Sequence, residues 1–209
     1  MRVIEKKRKV RSDKKRDVKP SLSIKLKECI HRLSYITNTP VKDVAEKICE
    51  SGVTSNKVMD HLSQFFRRDI RLNNTMYLGD LERESLQRRN KTVKERITIR
   101  FSQSTYDDLC SLAYALDVTP TKATALLLEA SIKNSEFVHE YIEEYIGSYL
   151  DEGRMKELKK VMKFINENNP YDEEFSWAEF IDVLFNEIKV GTSTIKNALT
   201  DWIDRNKIE

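Results

Sequence analysis

The sequence predicts a mainly α protein in which strand-helix-helix units share a short β-ribbon and a helical block follows at the C-terminal end. Three observations carry this. The stretch 95–132, ERITIRFSQSTYDDLCSLAYALDVTPTKATALLLEASI, opens on strict alternation and then changes to a period of about 3.6. The composition, with 34% charged and 39% hydrophobic residues and only five glycines and four prolines, is that of a helix-rich soluble chain. The pattern of 95–146 also recurs earlier in the chain, which points to internal duplication.

Residues 1–19, with KKRKVR and DKKR, read as a disordered basic tail holding too little apolar surface to fold. Residues 1–20 carry ten Lys/Arg against three Asp/Glu, whereas residues 136–209 carry nine against seventeen, so a formal net charge of +3 hides a basic front and an acidic end. A polyanion would meet the front half; the tail serves either as a backbone or minor-groove arm or as a solubilising segment.

Residues 20–70 read as a first helical repeat. Leu26, Cys29, Ile30, Leu33 and Ile36 share one helix face, Asn38-Thr39-Pro40 breaks it, and the next helix holds Val44, Ala45 and Ile48. A third helix starts near Ser55 with Val58, Leu62, Phe65 and Phe66. At an offset of 80, Thr39-Pro40 falls on Thr119-Pro120, Ala45 on Ala125, Ile48 on Leu128 and Val58 on Val138. The strand of this copy has two placements. Without gaps it falls on 16–21, which contains Pro20 and reads poorly as alternation; the other placement is Leu22-Ser23-Ile24-Lys25-Leu26, which alternates well but shortens the next helix.

Residues 71–94 read as a charged linker with Asn-Asn and Gly-Asp turn signals and a short helix over 80–89. Residues 95–150 hold the second unit. Ile97, Ile99 and Phe101 occupy one side of its strand and Arg96, Thr98 and Arg100 the other. Tyr106, Leu109, Leu112, Ala113 and Leu116 follow at helical spacing after a cap at Ser102 or Ser104, and Thr119-Pro120 places a cap and a first-turn proline at the start of the next helix. A lone strand leaves its ladder unpaired. It therefore needs a second copy, from the same chain as a pseudo-dimer or from another chain as a homodimer.

On the RITIRFS run, the helix with Tyr106, Leu109 and Leu116, and the DVTPTKA turn, the stretch resembles the ribbon-helix-helix family of DNA-binding proteins. The resemblance covers about 40 of the 209 residues. It implies that Arg96, Thr98 and Arg100 read base edges in the major groove, and that Thr119, Thr121 and Lys122 at the second helix's start hold a phosphate. Elementary chemistry agrees: arginine bonds guanine in bidentate fashion and a helix N-terminus offers free N–H groups to an anion. Lys94, beside Arg88, Arg89 and Lys91, is placed for flanking phosphates. If the first copy's strand is 22–26, Ser23, Lys25 and Lys27 face the groove as well.

Residues 151–209 read as a helix-turn-helix-like domain. A helix with Met155, Leu158, Val161, Met162 and Ile165 is followed by a capping-box pattern at Ser176-Trp177-Ala178-Glu179. The end looks like a winged-helix-type helix-turn-helix, with Thr192, Ser193, Thr194, Lys196 and Asn197 as recognition-helix contacts. Its acidity favours a protein partner there instead.

No phosphate-cradling glycine loop, H-E-x-x-H, nucleophile elbow or C-x-x-C occurs, so no enzyme activity and no cofactor are expected. Cys29, Cys49 and Cys110 read as reduced core thiols, and the three histidines form no ligand spacing with them, so no metal is expected. No apolar run is long enough for a membrane span and no secretory signal is read at the N-terminus, giving an expected cytoplasmic, nucleoid-associated protein. The expected function is sequence-specific double-stranded DNA binding. The resemblance implies transcriptional repression, with plasmid partition, replication control or relaxosome assembly as sister roles and a plasmid or phage regulator as the setting. The competing reading is a helical protein-interaction scaffold with only nonspecific attraction to DNA.

Overall fold

Alternation along two distant segments creates the sheet on which the fold is laid out. The computed structural model describes residues 15–72, 74–87, 92–134, 137–138, 140–141, 151–167 and 169–171. β1 (Arg16–Val18) pairs antiparallel with β6 (Ile99–Phe101), and β2 (Ser21–Ser23) with β5 (Lys94–Arg96). Both pairings keep one register, Val18 opposite Ile99 and Ser21 opposite Arg96, so they are two parts of one ribbon with Lys19 opposite Thr98 at its middle. The interruption has a chemical cause. Ile97 donates its N–H to the Pro20 carbonyl at 3.3 Å, and proline has no N–H to return.

The first strand therefore covers the gapless placement and, of the other, only Leu22 and Ser23; Ile24, Lys25 and Leu26 are already helix. Arg16, Asp17 and Val18, expected in the disordered tail, are already strand. Val18, Pro20 and Leu22 point inward with Ile97, Ile99 and Phe101, all six buried. The alternation is present once proline is counted as apolar.

Each strand runs directly into a capped helix. Ser23 accepts from the Leu26 N–H at 3.3 Å to start α1 (Ile24–Thr37), and Ser102 accepts from the Thr105 N–H at 3.2 Å to start α4 (Gln103–Ala115). Both end on a left-handed residue, Asn38 at φ 51° and Asp117 at φ 55°. The second helices are α2 (Val41–Thr54) and α5 (Pro120–Lys133). α3 (Asn56–Ser63), capped by Ser55, follows α2.

The repeat is real but its spacing is 79, not 80. At 79, the buried Val44, Ala45, Ile48, Cys49, Gly52 and Val53 of α2 fall on the buried Ala123, Thr124, Leu127, Leu128, Ser131 and Ile132 of α5. Val58, Met59 and Leu62 likewise fall on the buried Phe137, Val138 and Tyr141. The two Thr-Pro pairs mislead by one residue, because Pro40 occupies the cap position that Thr119 fills in the second copy. A pseudo-twofold axis relates the copies, and equivalent residues meet on it. α2 packs on α5, Gly52 lies against Ser131, and Asn134 Nδ2 donates to Ser55 Oγ at 3.4 Å.

The segment expected as an irregular linker contains a hairpin, β3 (Ile70–Leu72) with β4 (Thr75–Tyr77), turning at Asn74 with φ 66°. Tyr77 is buried edge-on to Phe66. The helix expected over 80–89 is absent from its described part, 80–87, which forms turns. α6 (Glu152–Asn166) packs on α1, burying Met155, Leu158, Val161, Met162 and Ile165, with Arg32 Nε on Glu157 at 2.9 Å and Lys25 Nζ on Glu167 at 2.8 Å. Tyr171 then donates to the Ala130 carbonyl at 2.9 Å and stands edge-on to His61. The result is a mainly helical protein with small antiparallel strand pairs. No helix among the described residues is long and apolar enough to cross a membrane.

Two measurements check this packing. A Cβ on Gly52 would lie 1.9 Å from Ser131 Oγ and 3.0 Å from Ser131 Cβ. Gly52→Ala is therefore expected to lose about 1–3 kcal/mol in urea unfolding, outweighing its gain of about 1 kcal/mol in helix propensity, and Ser131→Gly should recover most of the loss. Burial first, and the Lys133 charge second, lower the His61 pKa below its ordinary 6.5. The unfolded chain then binds the extra proton, so stability falls as pH drops below about 6.5. His61→Gln should flatten that slope in thermal melts between about pH 7 and pH 5.

Candidate nucleic-acid interface

A two-stranded ribbon with one face buried must expose the other. Asp17, Lys19, Ser21, Arg96, Thr98 and Arg100 occupy the outer face, with Ser21 half-buried and the other five exposed. The structure thus brings Arg96, Thr98 and Arg100 onto one surface and adds three residues that reading the sequence missed. The placement at 16–21 contains them, but Pro20 reads there as a break in alternation; the alternation Asp17, Lys19, Ser21 against Val18, Pro20, Leu22 was the signal that could have found them. Across the ribbon, Asp17 faces Arg100 and Ser21 faces Arg96.

The second-ribbon contacts expected at Ser23, Lys25 and Lys27 are corrected accordingly. Ser23 ends β2 and spends its side chain capping α1, while Lys25 and Lys27 lie on the helix. Lys25 pairs with Glu167, and Lys27 pairs with Glu95 on β5. The hydrogen bond and charge from Lys27 hold the Glu95 carboxyl below the usual range.

Arg100 Nε lies 3.2 Å from Asp17 Oδ1, with both side chains more than half exposed. Such a pair contributes little, about 0–1 kcal/mol, so Arg100 is oriented by it and not locked. The side chains of Arg96 and Lys19 make no hydrogen bond or ion pair with any described residue. At the Arg96 end the start of α5 stands beside the ribbon. Burial, and then the charge of Lys94, lower the Lys122 pKa, a direction that a bound anion would reverse.

The α5 terminus is partly satisfied already. Thr119 Oγ1 accepts from the Lys122 N–H at 3.3 Å, and Pro120 has none, which leaves the Thr121 N–H for an anion among the first three positions. Thr119, Thr121 and Lys122 are thus collected at one helix start, with Thr119 serving first as the cap. At the opposite end Lys15 Nζ pairs with Glu46 of α2 at 2.6 Å, and the first turn of α2 contains Asp43.

Thr192, Ser193, Thr194, Lys196 and Asn197 lie outside the described residues, as do Arg88, Arg89 and Lys91. Cys29 and Cys49 are buried and Cys110 partly so, all as free thiols, and burial raises the pKa of both Cys29, to about 12, and Cys49. Among the described residues no group of three or more His, Cys, Asp or Glu comes together to hold a metal ion. An open groove between α1 and α6 is lined by Lys27, His31, Arg32, Tyr35, Lys156 and Lys160 together with Glu28, Glu95 and Glu157. Several of these charges are already paired within it.

No family model, no curated protein and no solved structure matches the chain.

The capping role of Thr119 can be separated from anion binding. Thr119→Ala should cost about 1 kcal/mol in urea unfolding, while Thr119→Ser, which keeps the accepting oxygen, should stay near the parent.

Proposed function

We propose that the chain is a sequence-specific double-stranded DNA-binding protein built on a ribbon-helix-helix pseudo-dimer, both copies coming from one polypeptide. The single observation that carries the reading is a two-stranded antiparallel ribbon with an apolar inner face on helices and a polar outer face bearing Lys19, Arg96, Thr98 and Arg100. A ribbon of this width fits the major groove of B-DNA. Arginine on it bonds guanine O6 and N7, and threonine bonds a base edge or touches a thymine methyl. The start of α5, with Thr121 and Lys122, anchors a phosphate beside the ribbon. The basic residues of 1–15 add salt-dependent affinity.

Transcriptional repression is the role that suits such a binder best. Partition, replication or relaxosome accessory roles share the same binding step. A second reading has its own observation: the acidic C-terminal block already docks α6 on α1 through Arg32–Glu157 and Lys25–Glu167. In that reading the chain is a protein-interaction scaffold whose basic front only attracts DNA.

Selection from a randomised duplex library at physiological salt distinguishes them. The expected result is an enriched sequence bound at least about a thousandfold more tightly than mixed competitor. Arg96→Ala should lose about 1–3 kcal/mol of preference at one base pair, whereas Lys122→Ala should weaken all sequences alike and lower the salt slope by about 1. Binding without sequence preference would leave the scaffold reading in place of this one.

A further inference from the structure

The two ends of the ribbon are built on the same plan but carry different charges. At the spacing of 79, Arg96 corresponds to Asp17, Lys122 to Asp43, and Ala125 to Glu46. One end of the outer face holds Lys94 and Arg96 opposite Ser23 and Ser21, beside Lys122. The other holds Arg100 opposite and ion-paired with Asp17, while Lys15 is paired with Glu46 and the first turn of α2 contains Asp43. Three positions on the groove side or at the phosphate-facing helix start are therefore acidic in one half where the other half has Arg, Lys and Ala.

We infer that one chain reads an asymmetric, non-palindromic duplex site, with most of the base discrimination and phosphate anchoring in the half contacted by Arg96 and α5; this rests on the DNA-binding reading above. A palindromic site repays a protein only if both halves present the same donors to it. Here the Arg96 guanidinium faces a small hydroxyl and is available to a guanine edge. Arg100 must share its donors with Asp17, whose carboxylate also enters the groove. At the second anchor, Asp43 repels the phosphate that Lys122 attracts, and Glu46 takes up the charge of Lys15, the counterpart of Lys94. The pairing of both strands within one polypeptide removes the requirement that makes ordinary dimer sites symmetric, because the two halves are encoded separately.

The test is a duplex-library selection with the full chain, followed by native mass spectrometry of the complex with the enriched duplex. An asymmetric motif bound by one chain is expected. Arg96→Ala should lower preference in the strong half by roughly tenfold or more, and Arg100→Ala should change preference much less. Asp43→Lys, an exchange in the first turn of α2, should tighten binding to all duplexes and raise the salt slope by about 1. An inverted-repeat motif, two chains per site, or equal losses from Arg96→Ala and Arg100→Ala would overturn the inference and leave the DNA-binding reading standing. If no sequence is enriched at all, both fall.

Discussion

Among the described residues each strand of the ribbon has only the other as its ladder partner, and the rest of the fold follows from that constraint. A three-residue strand with one buried face cannot stand alone. Once Val18 meets Ile99 and Leu22 meets Glu95, the inner face formed by Val18, Pro20, Leu22, Ile97, Ile99 and Phe101 needs cover. Helices supply it: α1 and α4 leave the strands at Ser23 and Ser102, α2 packs on β6, and α5 packs on β1 and β2. α2 and α5 then meet on the pseudo-twofold axis, where the absence of a side chain at Gly52 lets Ser131 approach.

Duplication also explains how one surface can be polar and unequal while the core stays nearly symmetric. Core positions repeat in kind because each copy fills the same space: Ile48 and Leu127, Cys49 and Leu128, Leu33 and Leu112. Outer-face positions are under no packing constraint. Asp17 and Arg96 can therefore differ in sign at equivalent places without disturbing the ribbon. The acidic side chains there are balanced locally, Glu46 by Lys15 and Asp17 by Arg100.

The second copy was legible in the sequence because each device there is local. Alternation through Ile97, Ile99 and Phe101, a serine cap at Ser102 and the Thr119-Pro120 helix start all lie within a short window. α6 was legible for the same reason, through the helical spacing of Met155, Leu158, Val161, Met162 and Ile165. The first strand was obscured by Pro20, a residue that removes one ladder hydrogen bond but still supplies an apolar side chain to the inner face. The exact repeat spacing was obscured by a coincidence of letters, since Thr39-Pro40 and Thr119-Pro120 sit one residue apart in structural role. The ion pairs of Lys25 and Lys27, and the opposition of Asp17 to Arg100, are tertiary. Nothing in a linear spacing reveals them.

The pairing of β1 and β2 with β5 and β6 also sets an order of events. Ser23 and Lys94 close a loop of about seventy residues, and Arg16 and Phe101 close a longer one. Closing such loops costs chain entropy before any ladder bond forms, so contacts within α1 to α3 are available earlier than the ribbon. On the ribosome the first strand emerges with its partner still unmade. It has an open edge until the segment 94–101 follows, and in that interval an equivalent segment from a neighbouring chain presents the same complementary edge. The intramolecular ribbon is thus favoured by tethering, and crowded synthesis favours exchange between chains.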